Sequence, residues 1–273
     1  MTSALEQLPE EILLLILSHL HCSNATDPAV KLKALARVSR VSRLFRRLNE
    51  LTLYRNLTVV ACSALHLKQL LRTLRQRPDL CAAVQAAALG PRFDPDHRDA
   101  SSLLSLIPRL RALDLSISQE GGLPHVGYIP NLPQPGMDDH PFPYLREVCL
   151  RYHLGHKARV LPQYIFWLES LIRHPGVETL RGYGLHWWPF RTPPRQASRI
   201  EHVHLVDCDI SSVVKIIAYF NKSLRTLTLT WTAPPDFLRQ GGELCALANT
   251  ISKCATGLEK LDFQCGQPFY PYP

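Results

Sequence analysis

The side chains from which a catalytic or metal centre would be built are the twelve histidines and eight cysteines of this 273-residue chain. The tightest grouping is His202-Val203-His204, followed by Asp207 and Asp209. Alternate side chains of a strand share a face, so His202 and His204 would point outward while Val203 points to a core. Such a set allows a weak metal site, but two histidines on an open strand serve equally as plain surface or as partner contacts. Asp138-Asp139-His140 lies among prolines and reads as solvated. Cys149 and Cys208 lack a companion histidine placed as in a known nucleophile signature, and no cysteines have the Cys-x-x-Cys spacing of zinc sites. The Gly-x-x-x-x-Gly-Lys-Ser/Thr, Gly-x-Gly-x-x-Gly, Gly-x-Ser-x-Gly and His-Glu-x-x-His motifs are absent. The expectation is a protein without metal or cofactor, one that binds and does not catalyse.

The elements that would position these groups follow from composition and periodicity. Hydrophobic residues make up 46% of the chain and charged residues 20%, the balance of a globular protein. No window holds eighteen unbroken apolar residues, and Met1-Thr2-Ser3-Ala4-Leu5-Glu6 has no basic stretch, so neither a membrane span nor a signal peptide is expected. The expected location is cytoplasmic or nuclear, where cysteines stay reduced and act as small buried residues. The net charge of +8 admits nucleic-acid contact. A nucleic-acid reader interleaves basic and aromatic residues on one face, and only Arg151-Tyr152, Arg181 and Arg191 approach this, so nucleic acid is not an expected partner. An anion pocket of Arg151, Arg181 and Arg225 is one arrangement these cations allow.

Residues 8–20 predict a helix. Pro9 suits a first turn, Glu10 and Glu11 sit at the positive end of the helix dipole, and from Ile12 to Leu20 only Ser18 and His19 interrupt Ile and Leu. A helix apolar nearly all round must be covered nearly all round, and a unit of some forty residues cannot do that alone. Residues 31–53 predict a second helix, with Leu35, Val38, Phe45 and Leu48 on one face and Lys31, Lys33, Arg37, Arg40, Arg43, Arg46 and Arg47 on the other. That basic face is a solvated one, or one that steers an acidic partner.

Leu8-Pro9, Glu11-Ile12, Ile16, Leu20, Leu35, Val38-Ser39-Arg40, Phe45 and Leu48, with the exit segment Leu53-Tyr54-Arg55-Asn56-Leu57-Thr58, resemble an F-box of the fungal type. The connection over residues 21–30 is longer than usual for that family. The resemblance implies a non-catalytic substrate-recognition subunit of a Skp–cullin–F-box ubiquitin ligase. It would dock on a Skp-type adaptor, and through it a cullin, by Leu8, Pro9, Ile12, Leu13, Ile16, Leu20, Val38 and Phe45, some of which must instead hold the helices together. A scaffold with an F-box-like motif and no ligase is the alternative.

Beyond residue 60 the pattern Leu-x-x-Leu-x-Leu recurs in Leu110-Leu113-Leu115, Leu145-Val148-Leu150, Ile200-Val203-Leu205, Leu224-Leu227-Leu229 and Leu258-Leu261-Phe263. Val84-Ala87-Leu89 and Val177-Leu180-Gly182 are poorer examples, and Cys208 stands at the Asn/Cys position of its unit. From Leu110 onward the spacings are 35, 32, 23, 24 and 34 residues, against about 20–29 for a regular array. Helices are expected over residues 66–77, 100–106, 163–173, 211–220 and 244–254. Strand and helix alternate, which favours a parallel sheet backed by helices. The expected fold is therefore α/β. Residues 1–60 form a helical F-box, and residues 61–273 an irregular leucine-rich-repeat-like solenoid that binds a protein target, an arrangement common in the fungal proteins it resembles.

Residues 119–143 are too rich in proline for helix or central strand and read as a long loop. In Trp187-Trp188-Pro189-Phe190 neighbouring rings point in different directions, so Trp187 and Trp188 join His202 and His204 as candidate target contacts unless both rings fold back to cap the array. The Pro- and Tyr-rich stretch after Phe263 would either cover the last repeat or mark a truncated relative of a longer protein.

Overall fold

The computed structural model describes residues 8–9, 11–13, 15, 37–38, 40, 43–59, 64–90, 102–118, 142–153, 171–186, 188, 199–232, 242–254 and 256–265. Near the N-terminus a helical turn starts at Pro9, whose carbonyl accepts the N–H groups of Ile12 and Leu13 at 3.0 and 3.1 Å. Leu13 is fully buried against Phe45 and Leu48 of helix α1 (Arg43–Arg55), with Val38 and Leu44 at the margin of the cluster. The three- and four-residue spacing of α1 turns Phe45, Leu48 and Asn49 inward and leaves Arg43, Arg46 and Arg47 exposed.

Helix α1 runs directly into strand β1 (Asn56–Val59). Seven strands follow: β2 (Ala86–Leu89), β3 (Ala112–Ser118), β4 (Glu147–His153), β5 (Thr179–Tyr183), β6 (His202–Val206), β7 (Thr226–Trp231) and β8 (Lys260–Cys265). All eight form one sheet in sequence order, and every neighbouring pair is parallel. Parallel neighbours need a crossover each time. Helices α2 (Ala64–Gln76), α3 (Pro78–Ala83), α4 (Ile210–Tyr219) and α5 (Gly242–Cys254) lie in these crossovers. They send Leu67, Leu71, Leu74, Leu80, Val213, Ile216, Ile217 and Leu247 into one core with Leu57, Leu113, Val148, Leu180, Val203 and Leu227 of the strands. The alternate side chains of each strand face the other way. The architecture is thus mixed α/β, with a helical N-terminal region and an eight-stranded parallel sheet.

A second ladder fixes the register. The residue before each strand donates its N–H to the carbonyl of its counterpart one strand back: Gln85 to Arg55, Arg111 to Gln85, Arg146 to Arg111, and so on to Glu259, at 2.7 to 2.9 Å. Several of their side chains pair as well. Arg146 meets Glu178 at 3.3 Å, and Arg225 lies between Glu201 at 3.2 Å and Glu259 at 2.7 Å. Exposed pairs of this kind add little stability, but opposite charges at Arg146–Glu178 and around Arg225 favour the alignment of those neighbouring strands.

Each stretch with Leu-x-x-Leu-x-Leu spacing carries a strand, the two poorer ones included. β1 is an addition, and all of it but Val59 falls within the exit segment Leu53–Thr58. Helices α2, α4 and α5 and helical residues 102–105 lie where periodicity predicts helices. α3 is also an addition, opened by Pro78 at a position where a missing N–H costs nothing. Only Leu171, Ile172 and Arg173 of the helix expected over residues 163–173 are described, and residues 119–141, 189–198 and 266–273 lie outside the described residues. No helix among the described residues is long and apolar enough to cross a membrane.

Candidate functional site

Two surfaces gather the residues that sequence reasoning singled out. The first is the N-terminal helical turn. Leu13 points inward and is 0% exposed, while Leu8, Ile12 and Leu15 are 37%, 44% and 54% exposed. Residues three apart share one side of a helix, so Ile12 and Leu15 lie on the side away from Leu13, and Leu8, just before the turn, is exposed as well. Pro9 is exposed beside it. Val38 is half-buried and Phe45 buried, both in the small cluster around Leu13. Ile16 and Leu20 lie outside the described residues.

The second surface is the sheet face opposite the helices. Strand register lines its side chains up in rows. One row runs Thr58, Ala88, Asp114, Cys149, Arg181, His204, Thr228 and Asp262. The charges in the middle are tied across strands. Arg151 Nε donates to both oxygens of Asp114, at 2.9 and 3.1 Å, and its guanidinium carbon lies 4.1 Å from the centre of the Tyr183 ring. Arg181 Nε pairs with Glu147 at 2.8 Å. Under these groups Cys149 is buried but outside the main core. Burial first, and the Asp114 carboxylate second, push its thiol up, so it stays protonated at neutral pH. Arg225, held by Glu201 and Glu259, stands in the row that precedes the strands and does not join Arg151 and Arg181.

His202 and His204 do share this face. His202 is exposed, with Nδ1 2.8 Å from Thr226 Oγ1. His204 is half-buried, 6.3 Å from the Tyr183 ring; burial, then the charge of Arg181, lower its pKa. The two aspartates grouped with them have other roles. Asp207, at φ 52°, accepts the N–H and hydroxyl of Thr232, and Asp209 faces His186 Nδ1 at 3.1 Å. Among the described residues no group of three or more His, Cys, Asp or Glu could hold a metal ion.

Trp188 is 3% exposed and stacks edge-on against Tyr219 and Phe220, so it presents no surface to a partner in this state. Trp187 and Asp138-Asp139-His140 lie outside the described residues. Cys208 ties neighbouring turns together: its thiol lies 3.4 Å from Val206 O and 3.6 Å from Gly182 O and receives the Leu185 N–H at 3.4 Å. Burial pushes this thiol up to about 12. Sequence reasoning missed Asp114, Glu147 and the cross-strand pairs. Their signal was the slot between the two core residues of each unit, which holds Asp114, Cys149, Arg181 and His204 in successive strands.

Residues 5–59 match the F-box-like family model, about one fifth of the chain. No curated protein matches the chain, and neither does any solved structure.

Proposed function

Proceeding from that F-box-like segment, we propose that the chain is the substrate-recognition subunit of a Skp–cullin–F-box ubiquitin ligase of the fungal type. It acts in the cytoplasm or nucleus and does no chemistry itself. The N-terminal sixty residues dock on a Skp-type adaptor and through it a cullin. The remainder, read as a degenerate leucine-rich-repeat solenoid, holds a protein target, with Trp187, His202 and His204 among the candidate contacts. Holding the target raises the effective concentration of its lysines near a ubiquitin-charged enzyme.

The observation that carries this reading is the exposure of Leu8, Ile12 and Leu15, three large apolar side chains close together in the F-box-like segment. Neighbouring apolar side chains left in water mark an interaction site. Leu8, Pro9 and Ile12 are then direct adaptor contacts, Ile16 and Leu20 extend them, and Leu13, Val38 and Phe45 hold the helix that presents them.

Co-expression with a Skp-type adaptor followed by size-exclusion chromatography tests this. The expected result is a one-to-one complex that is lost in Leu8→Ala with Pro9→Ala, and again in Ile12→Asp, with an unchanged circular-dichroism spectrum. Co-elution that survives both substitutions would end the assignment. A cullin that co-purifies separates the ligase from a ligase-independent scaffold.

A further inference from the structure

The open face of the sheet changes height between its third and fourth strands. Its outward positions on β2 and at the start of β3 are Ala86, Ala88 and Ala112, one methyl group each. On β4 and β5 they include Arg151, Arg181 and Tyr183. The step encloses a depression of ≈ 260 Å³ with an alanine floor and a guanidinium wall.

The wall is prepared for one kind of group. Arg151 and Arg181 each engage a carboxylate through Nε, at 2.9 and 2.8 Å, and among the described residues their terminal Nη groups have no hydrogen bond. In each pair the cation is the more exposed partner: 33% for Arg151 against 26% for Asp114, and 45% for Arg181 against 32% for Glu147. All four line the depression, and the unbonded Nη groups are the donors it offers. The Tyr183 ring fixes the plane of Arg151, so little freedom remains to be lost on binding. Planar N–H forks match carboxylate and phosphate alike. Charge separates the two. Asp114 and Glu147 already balance the guanidiniums, so a monoanion leaves an excess of one negative charge and a dianion an excess of two.

We infer that this depression takes a carboxylate of the target protein, with the chain that carries it laid over Ala88 and Ala112, and that Arg151 and Arg181 determine specificity. The inference rests on the receptor reading above and supplies the chemistry of its target. The carboxylate is either a side chain or a C-terminus.

The full-length chain is applied to immobilised degenerate peptides with one fixed central residue, C-terminally amidated, and to a parallel set with free C-termini. Retention about tenfold above that of the Asn and Gln sets is expected for fixed Asp or Glu, or for free over amidated ends, which identifies the source. Arg151→Gln with Arg181→Gln should erase that preference, and Arg151→Lys should keep part of it, since the charge survives and the fork does not. Ala88→Leu, which fills the floor from another strand, should also erase it, and covers the case in which the arginine variant misfolds in a urea melt. Equal retention of acids and amides, no retention of any set, or stronger retention of fixed phosphoserine than of Asp and Glu overturns the proposal. Adaptor co-elution is scored on the same preparations. Its loss with the acidic preference intact counts against the ligase reading alone, and the reverse counts against the carboxylate site alone.

Discussion

Gly182 stands in register with Leu150 and Leu205, where neighbouring strands place a leucine in the core. The missing side chain is supplied by Leu185, fully buried three residues later. A Cβ on Gly182 would lie 2.5 Å from Leu185 Cδ1 and 2.8 Å from Leu205 Cδ2. Overpacking of this kind costs about 1–3 kcal/mol, so Gly182→Ala should lower the urea midpoint with an unchanged slope. This exchange of partners also explains why Val177-Leu180-Gly182 reads as a poor repeat: spacing cannot show that a leucine beyond the strand returns to fill the gap. His204 gives a second expectation. Its folded pKa is depressed by burial and by Arg181, against a weaker opposite pull from Asp262. The folded state therefore resists protonation, its stability is fully present above the unfolded value of about 6.5, and it falls as pH drops below that. His204→Gln should flatten this decline between pH 7 and pH 5. Equal slopes in wild type and variant would exclude His204 as its source.

Elements differ in how completely they are covered. Leu227 and Leu229 of β7 are fully buried, whereas Leu261 and Phe263 at the matching positions of β8 are 49% and 46% exposed. Leu229→Ala should cost about 2–5 kcal/mol, and Leu261→Ala a fraction of that, because half of its side chain already meets water. Denaturant titrations of the two variants would show it, and comparable losses would mean that β8 is covered in solution. Strands β2 to β8 were legible because each repeats the same spacing, two positions two apart with a third three residues earlier, even where Gly182 leaves a position empty or Leu261 and Phe263 stay half exposed. β1 was not. It is four residues long and follows Arg55 with no turn residue between, so spacing alone did not set it apart from the exit segment that ends at Thr58. Of the proposed adaptor surface, the sequence indicated that the first helix has more apolar residues than its own unit can cover. Which of them face out depended on where Phe45 and Leu48 of the second helix meet Leu13, and a single chain's periodicity does not carry that.

Among the described residues the buried apolar side chains fall into two clusters. The main core extends from Leu57 to Leu247, while Leu13, Phe45 and Leu48 form a small one of their own. The two regions are joined by Tyr54, packed on the main core, and by Arg77, which reaches Glu50 at 3.2 Å and Asp79 at 2.7 Å. A cluster separate from the main core can open without the rest. Amides of Ile12 and Leu13 should exchange at least about tenfold faster than those of Leu205 and Leu229, and slow when a Skp-type adaptor is added; equal protection in the free chain would show one cooperative unit. The charged pairs of the open face were invisible to spacing for a related reason. Asp114 and Arg151 are 37 positions apart and meet only because β3 and β4 align. The sequential strand order also bears on biosynthesis. A chain that leaves the ribosome from its N-terminus offers each new strand after the first a finished neighbour. Among the described strands only β1 must wait for its first partner; each later one can pair backward as it emerges, so a shortened product can retain that pairing up to its last completed strand.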